Sequence, residues 1–544
     1  MSLTRRGSQP LDGKQNLPTE HVLQRSIRTF ASGDRIEEIA ALLRAMMADP
    51  VQLVRAMGAV GSVQRASEIA DAALQLGLAP ELTSKLQCLA VESRIVGGSV
   101  PEALSVAEDI LAVPRKVNTT VSAATAASRV FGQYFLDARQ GRRNAEALLL
   151  ARDGQIGAES EALAAAAVLS EAVLTDGRLS EGLALARDAA QAAHALPSSL
   201  WRPYLHLVLA DRLTDCGAYD EAENAMHQAR ASMAGKDGAA VDGVGVAIAL
   251  RYQQARLMSY RGRLVEARDE AQQALSAAVG VGARLFVPLI LALLGQFALW
   301  SGDTEEAAAL VSRYRDALAQ PGVNLPSFGY SWIELQVTAA WQGPAAALRR
   351  MCTEYASTSE RAAVFVRQPG AAAWFVRTAL EAGDRDWATA AAKTAQRLAD
   401  DNPGIPTLSV AALHANSLLY HDADGLVRAA SEHRHHQARI SAAEDLMALL
   451  NDPVRRAWSG SRPGKAKQGI DACPDDAALL SDAELEIARL VGTGLTNQQV
   501  ALRIGRSQHT VNFHLRNIFR KLGLSSRVEL AGRTHAWAAR RPGI

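Results

Sequence analysis

The residues best suited to chemistry stand together near the C-terminus, in the stretch TVNFHLRNIFRKLGLSSRVEL, Thr510 to Leu530. Asn512, Phe513 and Arg516 are spaced to share one side of a helix. An Arg bonds two acceptors of guanine, an Asn bonds adenine, and an apolar ring touches a thymine methyl. The trio therefore has the chemistry of base reading in a major groove. Arg520, Lys521 and His514 stand where phosphates would lie. Val511, Leu515, Ile518 and Leu522 follow the i, i+4, i+7, i+11 rule and predict the opposite, buried side, which Phe519 joins.

Charge agrees with this chemistry. From Leu479 onward there are ten Arg/Lys and four acidic residues, a balance of +6, whereas the whole chain carries +1, which leaves −5 on residues 1–478. Attraction to a polyanion thus belongs to the tail alone.

The elements that must hold these residues are short and clearly punctuated. Ser481 to Glu484, Thr496 to Gln499 and Ser526 to Glu529 each have the form of a capping box, in which side chains satisfy the free amides of a helix start. Ser507 caps a further helix, and glycines at 492, 494, 505 and 523 mark ends. Four helices result. The second and third are separated by Gly505-Arg506, the spacing of a helix-turn-helix, with the Thr510–Leu522 stretch on the third.

Ahead of this region the chain repeats. Glycines at 61, 98, 141, 177, 217, 262, 302, 343, 383 and 425 are separated by 36 to 45 residues, and in eight of the ten cases Ala or Gly stands five residues later. The exceptions are Glu146 and Leu348. Such a glycine ends one helix in a left-handed turn, and the small residue lets the next helix approach closely. A period of about 40 residues with helical apolar spacing predicts a stacked α-solenoid. It resembles the tetratricopeptide class with lengthened helices, although the Trp, Leu-Gly, Tyr and closing Pro pattern of that class is not kept.

Catalysis has no footing. No G-x-x-x-x-G-K-[ST] phosphate loop occurs, since Gly235-Lys236 precedes Asp237 and Gly464-Lys465 precedes Ala466. ATP binding is therefore not expected, and no other cofactor is implied. Cys88, Cys216, Cys352 and Cys473 are each more than 100 residues from the next, which gives neither a metal site nor a local disulfide framework. His421, His433, His435 and His436 are dense, but no carboxylate or Cys completes a defined ligand spacing, so they read as a solvated helix end rather than a metal site. His206 and His414 read as core or groove residues. No apolar run follows the basic pair near the N-terminus, and the run Leu285 to Trp300 is broken by Pro288, Gly295 and Gln296. A cytoplasmic protein with no membrane segment is the expectation.

The segment Leu480 to Leu530 resembles the LuxR-type helix-turn-helix of bacterial transcription factors. The likeness rests on Glu484, Glu486, Gly494 to Asn497, Ala501, Ser507, Thr510-Val511, His514, Asn517-Ile518, Arg520 to Gly523 and Ser526-Arg527. Asp482 departs from the usual Pro, and Arg506 from the usual apolar residue. The resemblance implies phosphate contacts that also include Thr496, Ser507, Gln508, Thr510 and Asn517. It implies as well that the fourth helix, through Val528, Leu530 and Ala531, pairs two copies on a twofold site. The repeat body looks like the C-terminal portion of the large ATP-binding LuxR regulators, without their phosphate loop.

The sequence thus predicts an all-α chain, a tetratricopeptide-like α-solenoid followed by a small four-helix LuxR-type helix-turn-helix domain. The expected bounds are a polar, partly disordered segment 1–35, repeats 36–450, linker 451–478, helix-turn-helix 479–538 and basic tail 539–544. The expected partners are double-stranded promoter DNA, a second copy on that DNA, RNA polymerase, and a small molecule or protein on the repeats. The other reading is a repeat scaffold for a protein partner with an accessory DNA-binding tail. An elongated, curved repeat body is expected.

Overall fold

The computed structural model describes residues 63–74, 80–112, 119–150, 160–193, 202–233, 243–319, 328–451, 479–495, 497–504 and 508–522. Beyond these it describes Leu524, Leu530, Ala531, Arg533, Thr534 and Trp537. The polar segment 1–35, Gly61, most of the linker and the basic tail lie outside the described residues.

The described residues form helices and no strand. In the body, successive helices pair as hairpins about the register glycines: Ser160–Thr175 with Leu179–Ala192, Arg202–Asp215 with Tyr219–Met233, Gly243–Tyr260 with Leu264–Val281, and Val287–Trp300 with Thr304–Leu318. The cause is visible at Gly177. Its φ of 83° sends the chain back on itself, and the amide of Arg178 bonds the carbonyl of Val173 at 3.0 Å, satisfying a carbonyl at the helix end. The same bond recurs at 98, 217, 262, 302 and 383. Five residues on, the small side chain is buried: Ala103, Ala222, Ala267, Ala307 and Ala388 are all fully covered. At Gly182 a Cβ would stand 2.7 Å from the carbonyl oxygen of Ser170, so the two helix backbones nearly touch there.

Two register glycines do something else. Gly141 and Gly425 lie inside the second helices of their pairs, Ala138–Leu150 and Ala423–Glu432. A Cβ on Gly141 would meet the Tyr134 backbone at 2.4 Å, so this glycine takes the close-packing role. The turn before Gly425 is made by His421, whose φ of 56° is left-handed without being glycine.

The repeat array also closes on itself. The distal repeats fold back on the middle ones, and one apolar core joins Leu174, Leu179, Leu207 and Leu250 to Phe365, Phe375, Leu398 and Leu408. The closing contacts fall at the turn tips. Asn402 Nδ2 donates to the Gly177 carbonyl at 2.8 Å, and the Ser180 amide donates to Asn402 Oδ1 at 3.0 Å. Arg434 donates to the Gly217 carbonyl at 3.1 Å. Apolar faces on both halves drive this closure, since burying them removes area from water at ~25 cal/mol per Å².

Candidate nucleic-acid interface

The C-terminal domain begins at the Ser481 capping box. Ser481 Oγ accepts from the Glu484 amide at 3.4 Å, and Glu484 Oε2 accepts from the Ser481 amide at 2.8 Å. Helix Asp482–Gly492 follows, the chain turns at Gly494 with φ 86°, and helices Asn497–Ile504 and Gln508–Leu522 complete the helix-turn-helix. Val511, Leu515, Ile518 and Leu522 are buried against Ile487, Ala488, Val491 and Val500, with Phe519 partly buried beside them. The apolar side predicted for the third helix is therefore the side that packs.

Asn512, Phe513, Arg516 and Arg520 occupy helical positions on Gln508–Leu522 whose register lies round the axis from that packed side. Gln508 and Thr510 stand in its first turn, and His514 and Asn517 are half-buried along it. Thr496, Ser507 and Val528 lie outside the described residues.

Three of the expected positions make contacts or are buried within the domain. Lys521 Nζ donates to Glu484 Oε2 at 2.6 Å, so its ammonium ties the end of the third helix to the start of the first rather than standing free for a phosphate. Leu530 and Ala531 are helical and buried within the domain, Leu530 completely. Leu530 packs in the same core as Val511, Leu515 and Ile518. The packing is tight: a Cβ on Gly492 would stand 2.0 Å from Thr534 Oγ1.

In the sequence Glu484 is a capping residue and part of the LuxR resemblance, with no sign of its pairing with Lys521. Burial works to raise its carboxyl, but the Lys521 hydrogen bond and the Ser481 amide and hydroxyl outweigh that and lower it to about 2. No local pattern signals this pair, because its members are 37 residues apart.

The histidine patch in the body also differs from expectation. His433 and His435 are buried, not part of a solvated end. His435 lies against the rings of Tyr260 and Trp300, with centroids 4.1 and 5.5 Å away. His414 contacts His433 at 3.3 Å and Asp445 at 2.8 Å, and Arg377 holds the same carboxylate at 2.6 Å. Burial pushes His433 down to about 2 and His435 down to about 3, so both are neutral parts of the core. Among the described residues no group of three or more His, Cys, Asp or Glu is placed to hold a metal. None of the described helices is long and apolar enough to cross a membrane.

Residues 478–533 match the model of the family described as bacterial regulatory proteins, luxR family. The nitrate/nitrite response regulator protein homolog of Haemophilus influenzae is 45 % identical over 49 residues, which cover 9 % of this chain and 24 % of that protein. The nitrate/nitrite response regulator protein NarP of Escherichia coli is 39 % identical over 64 residues, 12 % of this chain and 30 % of that protein. A putative HTH-type transcriptional regulator of Mycobacterium bovis is 45 % identical over 51 residues, 9 % of this chain and 6 % of that protein. The chain spans less than a third of the length of each of these relatives.

Proposed function

We propose that this chain, whose residues 478–533 form a luxR-family helix-turn-helix domain, is a DNA-binding transcriptional regulator of the cytoplasm. The observation that carries the reading is the packing of Gln508–Leu522. Its apolar side is spent on the domain core, which leaves Asn512, Phe513 and Arg516 in register for base edges, with Arg520 beside them for phosphates.

In this reading Thr496, Ser507, Gln508, Thr510, His514 and Asn517 add phosphate contacts. Lys521 acts first as a strut through Glu484. The protein binds promoter DNA as a homodimer and works with RNA polymerase. Since Leu530 and Ala531 are interior, pairing between copies uses other positions of the last helix, including Val528. The repeat body receives the input, a small molecule or a protein. The chain is not an enzyme and works without a cofactor.

The test is selection from a pool of random duplexes by the full-length protein. A single enriched motif with twofold symmetry supports the reading. A pool that stays random after several rounds, at a salt concentration low enough for binding, contradicts it.

A further inference from the structure

The closure of the body hides a cluster of acidic and basic side chains. Glu171 on helix Ser160–Thr175, Asp211, Arg212 and Asp215 on Arg202–Asp215, and Arg256 on Gly243–Tyr260 meet in the interior. The side chains of Arg212, Arg256 and Asp215 are at most 5 % exposed. These five residues all belong to the middle repeats. They bring three carboxyl groups but only two guanidiniums, so by themselves they leave one acidic group without a basic partner.

The missing cation comes from the distal half. Arg367, the last residue of helix Thr358–Arg367, pairs with Glu171, with Asp211 at 3.3 Å and with Asp215 at 3.7 Å. It is 196 residues from Glu171 in the chain. Tyr260 donates to its carbonyl at 3.1 Å, so the backbone as well as the side chain is held. Burying an unpaired charge is far costlier than burying a matched one. Closing the body and neutralising the cluster are therefore one event.

We propose that Arg367 is a charge latch: its guanidinium, delivered by the distal repeats, balances an acidic socket in the middle repeats and holds the body closed. The apolar contacts at the closure bring the two halves together, and the latch makes the shut state the one with no buried debt of charge. The device is independent of DNA reading. An input that draws Arg367 from its socket opens the body, and the open socket then carries net negative charge.

The Ser180 amide reports the state directly. Ser180 lies in the first turn of helix Leu179–Ala192, where the helix itself offers the amide no acceptor. Its partner is Asn402 Oδ1, across the closure. Hydrogen exchange is measured at Ser180 in the full chain, with circular dichroism to verify that the helices remain. Arg367→Gln should speed exchange there by about tenfold or more, while amides inside single repeats stay protected. Removing one carboxylate as well, in Glu171→Gln/Arg367→Gln, makes the socket neutral and should restore protection. Wild-type protection in Arg367→Gln overturns the latch. So does a double variant that exchanges as fast as Arg367→Gln, since the closure would then depend on the hydrogen bonds of Arg367 and not on the balance of charge. If Arg367→Gln does not fold, recovery of soluble, helical protein by the double variant supports the latch, and failure to recover overturns it.

Discussion

Glu484 shows how one residue can serve two elements. It closes the capping box of the first helix of the domain and anchors Lys521 at the end of the third. Its carboxyl is held at about 2 against an ordinary 4.5. A carboxylate with a lowered folded-state pKa contributes stability that is fully present above its unfolded pKa and is lost as pH falls through the folded one. The wild-type domain should therefore lose stability between pH 4.5 and about 2. Glu484→Gln should be less stable at neutral pH, and the gap to wild type should close across that window. Thermal melts at a series of pH values check this, and a constant gap would count against the pair. The packed residues of the third helix were legible in the sequence because Val511, Leu515, Ile518 and Leu522 repeat with the helix. The Glu484–Lys521 bond was not, because only folding brings the first and third helices together.

At the level of elements, the hairpin repeat was legible through its glycines, since a left-handed turn followed by a close helix contact constrains two positions at a fixed interval. The pattern misled at Gly141 and Gly425, where spacing alone could not separate a glycine that turns from one that packs. It also missed His421, which makes a left-handed turn without being glycine. The register glycines differ in a further way. A Cβ on Gly302 meets nothing within 4 Å, whereas on Gly177 it would lie 2.5 Å from Leu398 Cδ2, which is itself buried. Both have a positive φ. Gly302→Ala should cost about 1–2 kcal/mol for the strained backbone. Gly177→Ala should cost a further 1–3 kcal/mol or so for overpacking at the closure. Urea midpoints of the two variants measure the difference, and equal losses would mean that the closure yields freely at this tip.

For the whole molecule, the sequence predicted repeats and a basic helix-turn-helix domain, and both are present, but it did not predict the closure of the body. The closure rests on pairs such as Gly177 with Asn402 and Arg367 with Glu171, some 200 residues apart. Periodicity is a property of neighbours and carries no sign of such contacts. Charge, by contrast, was legible at this scale: the tail from Leu479 holds +6 against −5 for the rest. That separation suits a chain whose DNA affinity resides in the tail. The central claim is that Gln508–Leu522 reads base edges, and titration of Arg516→Ala tests it most directly. Binding to the selected duplex and to a scrambled one is measured at several salt concentrations beside wild type. Arg516→Ala should lose about 1–3 kcal/mol on the selected duplex and much less on the scrambled one. Wild-type affinity for the selected duplex, or an equal loss on both, would show that this helix does not read the sequence.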